Sequence, residues 1–135
     1  MGLSNRFPGV IVPMVCESAV RDGDLVVPGA AENSCAFPGG ASPTSSLLGI
    51  VMRPDGSVAT SGDTVDVVLS GIYPVRAGGT IALNDLITSN GTDGTAKTET
   101  ASAGTNVGVI GCAVESGSSG ERVAVRISPF VKQGA

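Results

Sequence analysis

Three blocks of this 135-residue chain occur twice, in the same order and at nearly constant spacing. Asp24-Leu25-Val26 returns as Asp85-Leu86-Ile87, 61 residues on. Leu48-Gly49-Ile50-Val51 returns as Ile110-Gly111-Cys112-Ala113, 62 on. The run from Gly62 to Leu69, GDTVDVVL, returns as GERVAVRI from Gly120 to Ile127, 58 on. Repetition on this scale means one supersecondary unit used twice. A solenoid needs about three or more units to bury its faces. The expected outcome is therefore one pseudo-symmetric domain with a shared core, its copies covering residues 19–73 and 74–129.

The units read as β. In VRAGGTIALNDLITS, residues 75–89, Gly78-Gly79 breaks the chain, and Ile81 and Leu83 then alternate with Ala82 and Asn84. That is the period-2 pattern of a half-buried strand. Asn84-Asp85 makes a second break, and Leu86-Ile87-Thr88 opens another strand. Further strands are expected over 47–52, 64–69, 107–114 and 121–127, with 96–106 as a strand or loop on the solvent side. Pro54-Asp55-Gly56-Ser57 and Asn90-Gly91-Thr92-Asp93-Gly94 are turns, since proline presets φ and glycine and asparagine reach positive φ. No amphipathic helix is evident. Gly 20, Pro 8 and 41% apolar residues suit an all-β chain rich in turns. Rings are scarce, with Phe7, Phe37, Tyr73 and Phe130 the full set, so the core must be aliphatic.

Composition excludes several functions. A net charge of −4 without a basic stripe argues against nucleic-acid binding, which displaces counterions with clustered Lys and Arg. No run of about 18 apolar residues is present, so no membrane helix is expected. The first residues do not read as a secretion signal, because Pro8, Gly9 and Pro13 interrupt the short apolar run. Cys16, Cys35 and Cys112 form no CxxC and suit a reducing compartment. Cys112 stands where the first copy has Ile50 and is expected to be a small buried hydrophobe. With no histidine there is no Ser-His or Cys-His couple and no zinc set. Arg21-Asp22-Gly23-Asp24 resembles the start of a calcium loop, but the later ligands are missing, so it reads as a turn. Asp24, Asp63 and Asp85, with Glu121 matching Asp63, recur at equivalent places and read as turn formers used twice. No catalytic, metal or cofactor residue is assigned.

Two segments fall outside the repeated blocks. Residues 1–18 are apolar, interrupted by Pro and Gly, and carry Arg6 as their one basic side chain. They are expected to form an extended arm on a partner surface, through Phe7, Val10, Ile11, Val12 and Met14. Residues 19–135 would then be the single β domain. The Gly/Pro/Ser/Ala-rich segment 28–46, which carries Phe37, is expected to be a surface loop or a second contact.

Taken together, the GD-[LV]-V entry, the [LI]-G-[IC]-[VA] block, the G-[DE]-x-V-x-V block, AGGTIALNDLITSNGTDGTA and the ending VIGCAVESGSSGERVAVRI resemble the capsid cement, or head decoration, proteins of tailed bacteriophages. The resemblance implies a small β-barrel or β-clip-like domain, commonly a homotrimer, that binds the major capsid protein on the outer shell. It implies synthesis in the host cytoplasm, residence in the virion, and no enzyme activity, nucleic-acid partner, membrane partner or cofactor. A cement protein needs contact area and shape rather than an active site, which agrees with the residues. The competing reading is a small-ligand or carbohydrate-binding β-clip module, with Tyr73 as the candidate stacking ring. A hydrolase built on paired carboxylates is a third.

Overall fold

The computed structural model describes residues 6–40, 43, 46–100 and 105–133. Among these it is all-β, with eleven strands. A two-residue strand, β1 (Phe7–Pro8), leads the chain. Five strands follow: β2 (Ile11–Cys16), β3 (Leu25–Pro28), β4 (Ser34–Ala36), β5 (Gly49–Met52) and β6 (Thr64–Val68). Five more complete the chain: β7 (Gly71–Arg76), β8 (Leu86–Ser89), β9 (Ala96–Thr98), β10 (Val107–Ala113) and β11 (Arg122–Lys132).

Strands β2 to β6 close into a barrel in the order β2-β4-β3-β5-β6. The rest form a curled sheet in the order β1-β7-β11-β10-β8-β9. Starting at β4, the barrel order β4-β3-β5-β6-β2 is matched strand for strand by β9-β8-β10-β11-β7. The barrel is closed by parallel pairing of β2 with β4 at Val15↔Ser34 and Cys16↔Cys35. The second copy has a single parallel bridge at that place, Ala77↔Ala96, and remains a half-barrel.

Hydrogen bonds repeat with the strands. Glu17 N–H donates to Cys35 O as Gly78 N–H donates to Ala96 O, and Gly29 N–H donates to Ser34 O as Asn90 N–H donates to Thr95 O. Positive φ repeats too: Gly23 (88°) with Asn84 (73°), Asn33 (55°) with Gly94 (82°), and Gly62 (100°) with Gly120 (90°). Asparagine tolerates this region better than other side chains, so it can stand where its counterpart is glycine.

The copies begin earlier than the sequence blocks suggest, at Ile11 and Gly71 rather than at 19 and 74. The segment expected as an arm is therefore corrected over Ile11–Cys16. Ile11–Cys16 is a barrel strand, antiparallel to β6 from Ile11↔Val68 to Val15↔Thr64. Its backbone groups need partners, and the barrel would be open between β4 and β6 without it. Segment 28–46 contains β4, so it is not all loop. Ile81 makes only an isolated bridge to Gly117, and the strand expected at 81–84 is a turn that buries Ile81 and exposes Leu83. In the 96–106 segment Ala96 and Glu99 are buried, not on the solvent side. Residues 1–5 of the expected arm, 41–42 and 44–45 of the 28–46 segment, and 101–104 of the 96–106 segment lie outside the described residues.

Two apolar clusters result from the pleat. Cys16, Val20, Val26, Cys35, Val51, Val65 and Val67 fill the barrel. Their counterparts in the second copy, among them Ala77, Ile81, Ile87, Ala96, Ala113, Val123 and Val125, line the half-barrel. Leu25, Ile50 and Val68, from the barrel's outer face, belong to this second cluster. The half-barrel is thus wrapped around the outside of the barrel and filled by it. One lateral row shows the consequence. Leu25↔Ile50↔Val68 is buried under the second copy. Its equivalent, Leu86↔Cys112↔Arg126, has no such cover and is half-buried to exposed. Cys112 is therefore half-buried rather than buried as Ile50 is.

Candidate functional site

The structure divides the six candidate contact residues. Phe7 (58% exposed), Val10 (55%) and Ile11 (38%) lie on the surface, next to exposed Val15 (41%). Val12 is half-buried. Met14 and Phe37 are half-buried and pack against the barrel interior. The exposed residues are held firmly. Phe7 pairs with Ile72 and Pro8 with Gly71. Gly9 N–H donates to Ser70 O at 2.8 Å, and Val10 N–H to Ser70 Oγ at 2.9 Å. Gly71 (φ 98°) is where this segment crosses closely, since a Cβ there would sit 2.4 Å from Phe7 O and Gly9 N. Phe130 and Val131, in the part of β11 beyond its pairing with β7, are also exposed, and residue patterning did not single them out.

A second feature joins the copies. Arg76 on β7 and Arg122 on β11 are directly opposed. Like charges facing each other across strands destabilise a sheet. The turn before β3 supplies two carboxylates against them. Asp22 Oδ2 is 2.9 Å from Arg122 Nη2, and Arg76 Nη1 pairs with Asp24 Oδ1. Asp22 Oδ1 also accepts from Tyr73 Oη at 2.7 Å and from Arg53 N–H at 2.7 Å. Arg122 Nη2 donates further to Pro74 O at 3.0 Å. Arg6 reaches Asp22 Oδ2 at 3.9 Å and lies 5.7 Å from the centre of the Tyr73 ring, within cation–π range. Burial holds Asp24 above the ordinary carboxylate value, against the lowering by its bonds to the Arg21 N–H and Arg76. Burial and the Asp22 carboxylate raise the Tyr73 phenol. A cleft of about 310 Å³ opens beside this network, lined by Arg6, Arg21, Asp22, Arg76 and Arg122 with Pro54, Gly56 and Gly120.

Other polar groups have local duties. Asp24 and Asp85 each accept a hydrogen bond from the backbone N–H three residues back, Arg21 and Ala82, both at 2.9 Å. Asp63 and Glu121 do the same for Thr60 and Ser118. The turn-former reading describes all four. Cys35 is pushed up to about 11 by burial, with Cys16 and Glu17 adding to the shift, which keeps its thiol protonated. Tyr73 is 1% exposed with its hydroxyl taken, so it presents no stacking face to a sugar. Among the described residues, the surface offers rigid apolar contact and a basic cleft.

Comparison with known proteins bears on the family and the fold. The phage cement protein family matches residues 7–127, most of the chain. The fold is similar to the crystal structure of the head fiber gp8.5 N base in bacteriophage phi29, with a TM-score of 0.61. That match covers 88% of this chain and 93% of the phi29 chain, at 24% identity. No curated protein matches the sequence. The match runs from the first strand into the last and takes in both barrel copies, and on that extent the chain belongs to the phage cement protein family.

Proposed function

We propose that the protein binds the outer surface of a phage capsid as a homotrimer and stabilises the shell by bridging neighbouring major capsid proteins. The observation that carries this reading is the exposed apolar edge Phe7, Val10 and Ile11, pinned in place by β1 and Ser70. Apolar side chains on a rigid backbone lose little conformational entropy on docking, so more of their burial appears as affinity. Many copies on one shell multiply modest contacts into high avidity. Phe37 and Met14 take part indirectly, by packing against the interior of the barrel that carries this edge.

The test is occupancy on shells that lack the protein. Phe7→Ser with Val10→Ser removes exposed apolar area and leaves the core alone. We expect the variant to keep the wild-type circular dichroism and melting temperature and to lose most shell binding. Full occupancy by the folded variant would overturn the assignment of this edge. Light scattering on the free protein, giving a discrete mass of three chains, tests the trimer, and a monomer overturns it.

A further inference from the structure

Five of the chain's eight basic residues are arginines in or beside one turn-and-strand junction, in a protein of net charge −4. Arg53 is satisfied elsewhere, through Ser57 O and Ser57 Oγ. The other four, Arg6, Arg21, Arg76 and Arg122, line the same 310 Å³ cleft. Two carboxylates face them. Asp22 and Asp24 engage Arg122 and Arg76, and both are buried. Arg21 makes no ion pair among the described residues, and Arg6 holds Asp22 only at 3.9 Å. Asp22 is shared by Arg122 and Arg6, and Asp24 by Arg76 at contact and Arg21 at longer range, so positive charge remains in excess in the cleft.

The inner pairs also leave donors unused. A guanidinium has five N–H donors in a rigid fork. Arg122 Nε is buried and has no partner among the described residues, while the outer face of the guanidinium stays accessible. Its guanidinium is pressed on Gly23, where a Cβ would come within 2.7 Å of Nη2, so it cannot swing inward to find one. Arg76 and Arg122 remain about a third exposed, at 30% and 32% of their side chains. They are anchored from below and open from above.

We propose that this cleft is an oxyanion site that takes a carboxylate side chain of the partner protein. This rests on the reading of the chain as a shell-binding protein. A planar two-oxygen acceptor matches the guanidinium fork, as Asp22 and Asp24 already do within the chain. Nucleic acid fits poorly, because a phosphate backbone needs a track of cations. Here the basic groups form one compact locus, and Lys132 is engaged by Glu99. The carboxylate fixes register at a point where both copies of the fold, and the residue leading into β1, converge.

Two measurements test it. The first uses the free full-length protein and arginine Nε–Hε NMR signals, titrated with sodium acetate at ionic strength held constant with chloride. The signals of Arg6, Arg21, Arg76 and Arg122 should shift and saturate, those of Arg53 and Arg126 should not, and Arg6→Gln with Arg21→Gln should abolish the response. No response, or an equal one at Arg126, overturns the site. A response to sodium phosphate with none to acetate overturns the carboxylate assignment. The second is binding of the same folded double variant to shells lacking the protein. A loss of about tenfold or more, the worth of one charge-assisted contact, is expected, and unchanged binding overturns the docking role. If the wild type itself fails to bind shells, the shell-binding reading fails, while the acetate titration still decides the site.

Discussion

The Tyr73 hydroxyl donates a 2.7 Å hydrogen bond to Asp22 Oδ1, joining a fully buried ring in the second copy to a carboxylate in the first. The bond spans 51 residues of sequence and lies where the half-barrel meets the barrel. Asp22 also holds Arg122 and the Arg53 N–H, so it is the hub of the junction. Hydrogen bonds to a charged group contribute about 1.5–3 kcal/mol. Tyr73→Phe keeps the ring and removes that bond. It should lower the unfolding free energy by about 1.5–3 kcal/mol in urea titration at neutral pH. An unchanged midpoint would show that water or Arg6 replaces the phenol without loss.

Gly49 and Gly111 are equivalent and are held to glycine by close approach. A Cβ on Gly49 would lie 2.4 Å from Val68 O, and one on Gly111 would lie 1.9 Å from Arg126 O. Both obstacles are backbone of the paired strand and cannot rotate away. Gly111→Ala should cost about 3 kcal/mol or more, at the severe end for single substitutions. Gly79→Ala meets nothing within 4 Å. There the lost freedom of the unfolded chain should make the change neutral or stabilising by up to about 1 kcal/mol. Thermal melts of the two variants side by side check the contrast.

Much of this architecture was legible in the repeated blocks, because turn chemistry repeats wherever positive φ or an Asp-to-N–H bond is required. The first strand of each copy also repeats, as Ile11-Val12-Pro13-Met14 and Ile72-Tyr73-Pro74-Val75, 61 residues apart, but in sequence its first occurrence reads as an arm. It is hidden by proline and by the exposure of Ile11, which make β2 look like a tail. The junction was not legible from charge patterning, since Arg6, Arg21, Arg76 and Arg122 are far apart in the chain. Its signal is broken symmetry. Asp22 stands where the second copy has Leu83, Arg76 where the first has Val15, and Arg122 where the first has Thr64. A repeat that agrees in its turns and differs by charge marks where its copies touch. The failed expectation for Cys112 has the same origin, because equivalent positions are equally buried only when both outer faces are covered.

Acid should destabilise the fold. The carboxyl of Asp85 is held below its ordinary value by hydrogen bonds, chiefly from the Ala82 N–H and then the Thr98 hydroxyl. That of Asp93 is lowered by the Thr95 hydroxyl and N–H. A depressed folded value means stability that is present above the unfolded pKa, about 4, and is lost as pH falls through the folded one. Asp24 runs the opposite way, its contribution declining as pH rises through its raised value. Glu17 and Asp55 are lowered as well, so the depressed groups outnumber it. Urea midpoints should hold near neutrality and fall below about pH 4, and Asp85→Asn with Asp93→Asn should flatten that fall. A midpoint that rises on acidification would mean Asp24 dominates.

The three thiols should separate by reactivity. Cys16 and Cys35 are buried face to face in the strands that close the barrel, and Cys16 Sγ donates to Thr60 O at 3.2 Å. Cys35, pushed up to about 11, offers almost no thiolate at neutral pH. Cys112 is half-buried on the outer face beside Leu86 and Arg126. A colorimetric thiol assay should find one reactive group in the native protein and all three in denaturant. Fast reaction of a second group would reveal opening of the β2–β4 seam.

Truncation distinguishes a docking segment from a structural strand. A chain beginning at Val10 loses β1 and Arg6 but keeps every barrel strand. Its losses include the Phe7 and Pro8 pairing, the Gly9 bond to Ser70, and the Arg6 contacts to Asp22 and to the Tyr73 ring. It should remain folded, with a melting temperature a few degrees lower. A chain beginning at Glu17 loses β2, which is paired with β6 over five registers and with β4 over two. Those two strands would then face water with unpaired edges, and Val65 and Val67 in the barrel interior would lose the strand that covers them. Because Leu25, Ile50 and Val68 on the same barrel fill the half-barrel, collapse of one copy removes the core of the other. The shorter chain should show no cooperative unfolding transition. A cooperative melt from it would mean that the half-barrel folds alone, and that the two copies are less dependent on each other than their shared core requires.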